Sequence, residues 1–175
     1  PLSQASAVGA FCVTRCGVFI AGTDTGIGKT HVSVALLHAL SGSGRRVCGM
    51  KPVASGCVDT PHGRRNDDAL ALQAASTPCP AYAQINPVAL TAPVSPHLAA
   101  AAEGIVISMP SLCAAYAALA ARYDSVVVEC VGGWLAPLAD DLPAVARAQA
   151  GGGPGILVVG LRLGCLSHAL LSARA

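Results

Sequence analysis

The sequence predicts an α/β fold, a mostly parallel sheet flanked by helices. Three observations carry that prediction. Short apolar runs of strand length alternate along the chain with longer helical segments. The apolar run Val18-Phe19-Ile20-Ala21 passes through a glycine-rich stretch, Gly22 to Thr30, into the helical pattern His31-Val32-Ser33-Val34-Ala35-Leu36-Leu37. Aromatic residues make up only 3% of the chain while Ala, Gly and Val are abundant, which suits helices packed closely on a sheet.

After this first strand and helix, Arg46 to Met50 reads as a short strand ending at Lys51-Pro52. A helix follows over 66–75, with Asn66 or Asp67 placed to cap it. Prolines at 78, 80, 87 and 93 mark 76–95 as an irregular connection, with room for a short strand at 88–90. Ser95-Pro96 opens a helix through Ala102, Ser at the cap and Pro in the first turn being the favoured order. Pro110 to Arg122 is an alanine-rich helix, and Ser125-Val126-Val127-Val128 is an apolar strand ending at Glu129. Leu142 to Ala150 reads as a shorter helix and Gly155 to Gly160 as a buried strand. Ser167 is placed to cap a last helix that runs to Ala175.

A length of 175 residues suits one domain, assigned to 17–175. Residues 1–16 carry no period of either kind and read as an N-terminal extension of undefined order. They lack the basic and long apolar regions of a secretory signal. The net charge is +2 without a Lys/Arg cluster, which argues against a nucleic-acid partner. No stretch of about 18 residues is free of Pro, charge and His, so a membrane-spanning helix is not expected. The eight cysteines show no paired C-x-x-C spacing, and Cys12 and Cys16 have no second pair to complete a zinc site. Thiols inside apolar segments fit a reducing cytoplasm. A doubly wound sheet normally continues with a further strand after such a last helix, so the pattern reads as truncated at the C-terminus.

The stretch Gly22-Thr23-Asp24-Thr25-Gly26-Ile27-Gly28-Lys29-Thr30, between strand and helix, has the form of a phosphate-cradling P-loop. Its glycines let backbone N–H groups turn inward on an anion, and the helix N-terminus adds partial positive charge. Lys29 can reach the β- and γ-phosphates, and the Thr30 hydroxyl can bind Mg²⁺. The usual first glycine of the motif would fall on Thr23; here it lies one residue earlier, at Gly22. The fold class is thus P-loop NTPase-like.

In open α/β sheets ligands lie at the carboxyl ends of the strands. Those ends deliver Lys51 and Glu129, the latter where an acid commonly holds Mg²⁺. Two lysines, a hydroxyl and an acid around a polyphosphate would neutralise charge developing in phosphoryl transfer. Lys51 and Glu129 also have a plain reading as solvated strand-end charges. Asp67-Asp68 reads first as a pair of helix cap and dipole residues.

The ordered blocks Gly22 to Thr30, Lys51-Pro52-Val53-Ala54-Ser55-Gly56 and Arg65 to Leu70 resemble the dethiobiotin synthetase family. So do Ser95-Pro96-His97 with Glu103-Gly104, Val128-Glu129 with Gly132-Gly133-Trp134, and Leu163-Gly164-Cys165 with His168. The resemblance implies ring closure of 7,8-diaminononanoate with CO₂ to dethiobiotin in biotin biosynthesis, dependent on ATP and Mg²⁺. A carbamate would form on one amine, take the γ-phosphate, and be closed by the second amine. It further implies that Lys29, Lys51 and Thr25 are catalytic. Gly26, Ile27, Gly28, Lys29, Thr30, His31, Asp68, Glu129 and Gly132 would bind the nucleotide, with Thr30, Asp68 and Glu129 around Mg²⁺. Ser55 would touch the diamine, and Gly164, Cys165 and Ser167 would hold its carboxylate across a homodimer interface.

Three departures stand beside this resemblance. Cys130-Val131 replaces the Gly-Ala that typically follows the acid, and a positive φ at 130 would strain the loop. Ser167 stands where Asn is common. The strand whose Asn-Asp pair reads adenine in the family has no counterpart in this sequence. Two other readings remain: a P-loop ATPase switch, whose signature lysine position holds Asp24, and a truncated or degenerate family member that binds phosphate or nucleotide without turnover.

Overall fold

The computed structural model describes residues 17–139, 142–143 and 154–175. Strand β1 (Gly17–Gly22) leads through the glycine-rich loop into helix α1 (Lys29–Gly42), and then come β2 (Val47–Met50), β3 (Val53–Ala54), β4 (Val58–Thr60) and β5 (Gly63–Arg65). Helices α2 (Asp67–Ala74) and α3 (Tyr82–Ile85), strand β6 (Val88–Ala89), and helices α4 (Pro96–Glu103) and α5 (Met109–Ala120) follow. The chain closes with β7 (Ser125–Glu129), β8 (Pro137–Ala139), β9 (Leu142–Pro143), β10 (Gly155–Val158) and α6 (Cys165–Arg174).

The central sheet has the order β10-β1-β7-β2 with every neighbouring pair parallel. β2 and β7 are buried at every position. Strands covered on both faces read as continuous apolar runs rather than alternating ones, which is why Val126-Val127-Val128 was legible as a strand. The main core joins Phe19, Ile20 and Val126–Val128 of the sheet to Leu37 of α1 and Leu72 of α2. A second cluster around Val53, Leu90, Ala99, Leu112 and Leu138 holds the 88–139 side of the molecule. This is the expected α/β, parallel-sheet, P-loop architecture.

Several local expectations change. The connection 76–95 contains α3 as well as β6, and β6 pairs in parallel with β3. Residues 58–65 form an antiparallel hairpin turned by Gly63 at φ 92°, a conformation that favours glycine. Leu142-Pro143, expected to open a helix, instead forms β9 and pairs with β8; 144–150 lies outside the described residues, as does the N-terminal extension 1–16. Asn66, not Asp67, caps α2, its Oδ1 accepting from the Ala69 N–H at 3.2 Å. Gly164, not Ser167, caps α6, because the chain enters that helix through a left-handed residue (φ 90°) and Ser167 falls inside the first turn. Among the described residues no helix is long and apolar enough to cross a membrane.

Candidate active site

Two glycines of the loop are demanded by the backbone: Gly26 at φ 70° and Gly28 at φ 98° occupy the left-handed region that side chains disfavour. Gly22 has a different reason. A Cβ there would lie 2.8 Å from Ile27 Cδ1 and 3.0 Å from Lys29 Cδ. The glycine one residue upstream of the usual place therefore makes room for Ile27 and the Lys29 stem. Ile27 also presses on Gly160 just beyond β10, 2.7 Å from where a Cβ would stand.

α1 then begins at Lys29 with Gly28 at its cap, no side-chain cap and no acidic residue in its first turn. Its leading N–H groups face no carboxylate of their own helix, the condition for receiving an anion. Lys29 is buried, and its ammonium donates to the Asp24 carbonyl oxygen at 2.6 Å. Burial, followed by the neighbouring Lys51 charge, lowers its pKa from the ordinary lysine value. An anion between the two lysines would relieve both effects.

Sheet register brings the rest together. Met50 pairs with Val128 and Ile20 with Glu129, so the next residue of the β2 chain, Lys51, emerges beside Glu129 at the same sheet end as the loop. Lys51 Nζ donates to Glu129 Oε1 at 2.6 Å and to Asp68 Oδ2 at 2.7 Å. The Thr30 hydroxyl donates to the same Glu129 Oε1 at 2.9 Å. Burial opposes the Lys51 charge, but Glu129 and then Asp68 outweigh it and hold the ammonium above the ordinary lysine pKa. Burial likewise opposes the Asp68 charge, and Lys51 outweighs it, leaving that carboxyl below its ordinary value. Asp68 reaches Lys51 because Asn66 has taken the capping role at the start of α2.

These groups border a cleft of about 470 Å³. Of the residues expected at the site, Thr25, Gly26, Gly28, Lys29, Thr30, Lys51, Ser55, Asp68, Glu129 and Gly132 line it. Ile27 packs behind the loop and His31 is exposed on α1; neither is in the lining. Gly164, Cys165 and Ser167 begin α6 and are also absent from the lining. The strain expected at Cys130 does not arise: among the described residues no residue other than glycine has positive φ, and Gly132 takes the left-handed turn at φ 66°. Cys130 is buried, its N–H bonded to the Ile20 carbonyl oxygen at 2.9 Å.

Sequence reasoning missed three features of the site. The wall from Pro93 to Pro96 joins the cleft from within the proline-rich connection. Arg162, beyond β10, pairs with Asp24 of the loop at 2.5 Å. Ser33 of α1 is fully buried and touches Glu129. The signal for Ser33 was present, since it falls on the buried stripe Lys29-Ser33-Leu37 at helical spacing, where a polar residue needs a partner.

Fold and site together define a P-loop nucleotide-binding protein with two lysines and two carboxylates converging on one cleft. A family model described as an AAA domain matches residues 16–175. The ATP-dependent dethiobiotin synthetase BioD of Xanthomonas oryzae pv. oryzae (strain PXO99A) is 57% identical over 157 residues, covering 90% of this chain and 70% of that protein. The proteins of the same name from Xanthomonas axonopodis pv. citri (strain 306) and Xylella fastidiosa (strain 9a5c) are 56% and 55% identical over the same shares. The chain belongs to the dethiobiotin synthetase family.

Proposed function

We propose that this chain carries out the ATP-dependent closure of the dethiobiotin ureido ring from 7,8-diaminononanoate and CO₂, in the cytoplasm and as a homodimer. The observation that carries the reading is the convergence of Lys29, Lys51, Thr30, Asp68 and Glu129 at one sheet end, bordering a cleft that also contains Thr25 and Ser55. One amine of the diamine takes up CO₂ as a carbamate. A carbamate oxygen attacks the γ-phosphorus and ADP leaves. The second amine then attacks the activated carbonyl carbon, phosphate leaves, and the five-membered urea is closed.

A carbamate is a weak nucleophile and the triphosphate repels it, so charge neutralisation on both partners is the main demand. Lys29 and the open N-terminus of α1 meet the phosphates. Lys51, freed from its carboxylate partners, neutralises the carbamate and the transferring phosphoryl group. Thr25 and Ser55 orient the carbamate and the diamine. Gly26, Gly28, Thr30 and Gly132 complete the nucleotide contacts, with Ile27 and His31, whose side chains lie outside the cleft, contributing only their backbone N–H groups. Gly164, Cys165 and Ser167, at the start of α6, hold the carboxylate of a diamine bound to the other subunit.

The donor set suits Mg²⁺. Glu129 Oε1, Asp68 Oδ2 and the Thr30 hydroxyl are hard oxygen ligands, and the two carboxylates already accept a cation, the Lys51 ammonium. Among the described residues no group of three or more His, Cys, Asp or Glu gathers as an all-protein metal cage. A few protein oxygens completed by phosphate and water are what Mg²⁺ commonly uses. When bound, the ion would neutralise charge on the triphosphate.

The non-catalytic reading loses its chief residue argument, because Cys130 adopts an ordinary backbone conformation. The test is dethiobiotin formation from diaminononanoate, bicarbonate and Mg-ATP. Product is expected; its absence at micromolar enzyme with intact circular dichroism would sink the proposal for this chain.

A further inference from the structure

Ser33 sits in the second turn of α1, fully buried, on the stripe it shares with Lys29 and Leu37. Its Oγ lies 2.9 Å from Glu129 Oε2 and 2.9 Å from the carbonyl oxygen of Lys29. A hydroxyl has one proton to give, and a carbonyl or a carboxylate oxygen only accepts. The Lys29 carbonyl is four residues back along the helix and has the Ser33 N–H as its regular partner. The carboxylate oxygen is the stronger acceptor and lies at a comparable distance. The proton therefore goes to Glu129.

The two oxygens of Glu129 are thereby divided. Oε1 meets Thr30 and Lys51 at the cleft, and Oε2 is held from behind by Ser33. A carboxylate anchored at one oxygen cannot swing about its last torsion, so the other oxygen keeps its aim. We infer that Ser33 is a positioning residue, fixing Glu129 so that Oε1 stays directed at the phosphate and cation site. The inference rests on the reading of Thr30, Asp68 and Glu129 as the divalent-cation ligands. Loss of an outer hydrogen bond to such a ligand typically weakens metal binding by roughly ten- to a hundredfold. A serine that merely satisfied its own helix carbonyl would have no such effect.

The experiment titrates Mn²⁺ into the full chain in the presence of a non-hydrolysable ATP analogue, followed by electron paramagnetic resonance. A parallel calorimetric titration measures the analogue without metal. For Ser33→Ala we expect Mn²⁺ affinity to fall by about tenfold or more while metal-free analogue binding is unchanged. Ser33→Thr, which keeps the hydroxyl, should lie nearer wild type than Ser33→Ala does. If Ser33→Ala does not fold, Ser33→Cys, with its weak donor, is measured in its place. Unchanged Mn²⁺ affinity in the hydroxyl-less variant overturns the inference. So does an equal loss with and without metal, which would mark Ser33 as a packing residue. A wild-type protein that binds the analogue but no Mn²⁺ overturns the cation-site reading, and this inference with it.

Discussion

Lys51 keeps its charge in a buried position because Glu129 and Asp68 meet it there, and Lys51 or Glu129 would be costly alone. Breaking a buried ion pair by removing one partner typically destabilises by about 3–5 kcal/mol, since the charge left behind has no solvent. Glu129 is fully buried and Asp68 only half so, and the larger share of that penalty therefore belongs to Glu129. Lys51→Ala is expected to lower thermal stability by a few kcal/mol. It should also abolish dethiobiotin formation while leaving nucleotide binding largely intact. Calorimetry with ATP beside the turnover assay checks this, and an equal loss of both would place Lys51 in phosphate binding rather than in the chemical step. Lys51 and Glu129 were legible as candidates because each ends an apolar strand run. Asp68 was not, because spacing alone gives no reason to prefer an inward acid over a helix cap. Ser33 was missed for a related reason: hydroxyls at helical core spacing are common, and its partner lies 96 residues away.

At the scale of elements, the strand–loop–helix unit β1-α1 was readable almost residue by residue. Its demands are local: left-handed turns at Gly26 and Gly28, an uncapped helix start, a lysine at the first helical position. Gly22 was the exception, because the side chains that need its missing Cβ, Ile27 and Lys29, return to it only through the closed loop. The two kinds of glycine should fail differently. Gly28→Ala is expected to cost roughly 1 kcal/mol or more through backbone strain, with no neighbour within 4 Å to clash, and to weaken phosphate binding. Gly22→Ala should cost about 1–3 kcal/mol through overpacking, relieved in part by Ile27→Val. Chemical denaturation of the two variants and of the Gly22→Ala/Ile27→Val pair measures this, and no relief in the pair would remove the packing explanation. The β8-β9 pair was less legible, since Leu142-Pro143 pairs with a short strand that no local pattern announces, whereas β10 and α6 stand where apolar and helical patterns place them.

On the scale of the whole molecule, exposed large apolar side chains gather on one stretch: Leu161 (93% exposed), Leu163 (103%), Leu166 (78%) and Leu171 (66%) beyond β10 and along α6. Among the described residues β10 lies at one end of the sheet, and its first two residues are exposed. A second copy lying on α6, as the proposed homodimer requires, would cover part of this surface. Sedimentation velocity at micromolar concentration is expected to show a dimer, shifted toward monomer by Leu166→Glu. A wild-type monomer under those conditions overturns the dimer proposal.

The α/β class, the phosphate loop and the identity of the charged residues at the strand ends could be read along the chain, because each is written in contiguous residues with a local physical demand. How those charges meet depends on the folded arrangement. Parallel register sets Lys51 beside Glu129, a cap at Asn66 allows Asp68 to reach them, and a serine on α1 anchors the acid from behind. Such contacts join segments far apart in the chain, and their geometry exists only once the sheet has brought the strand ends together.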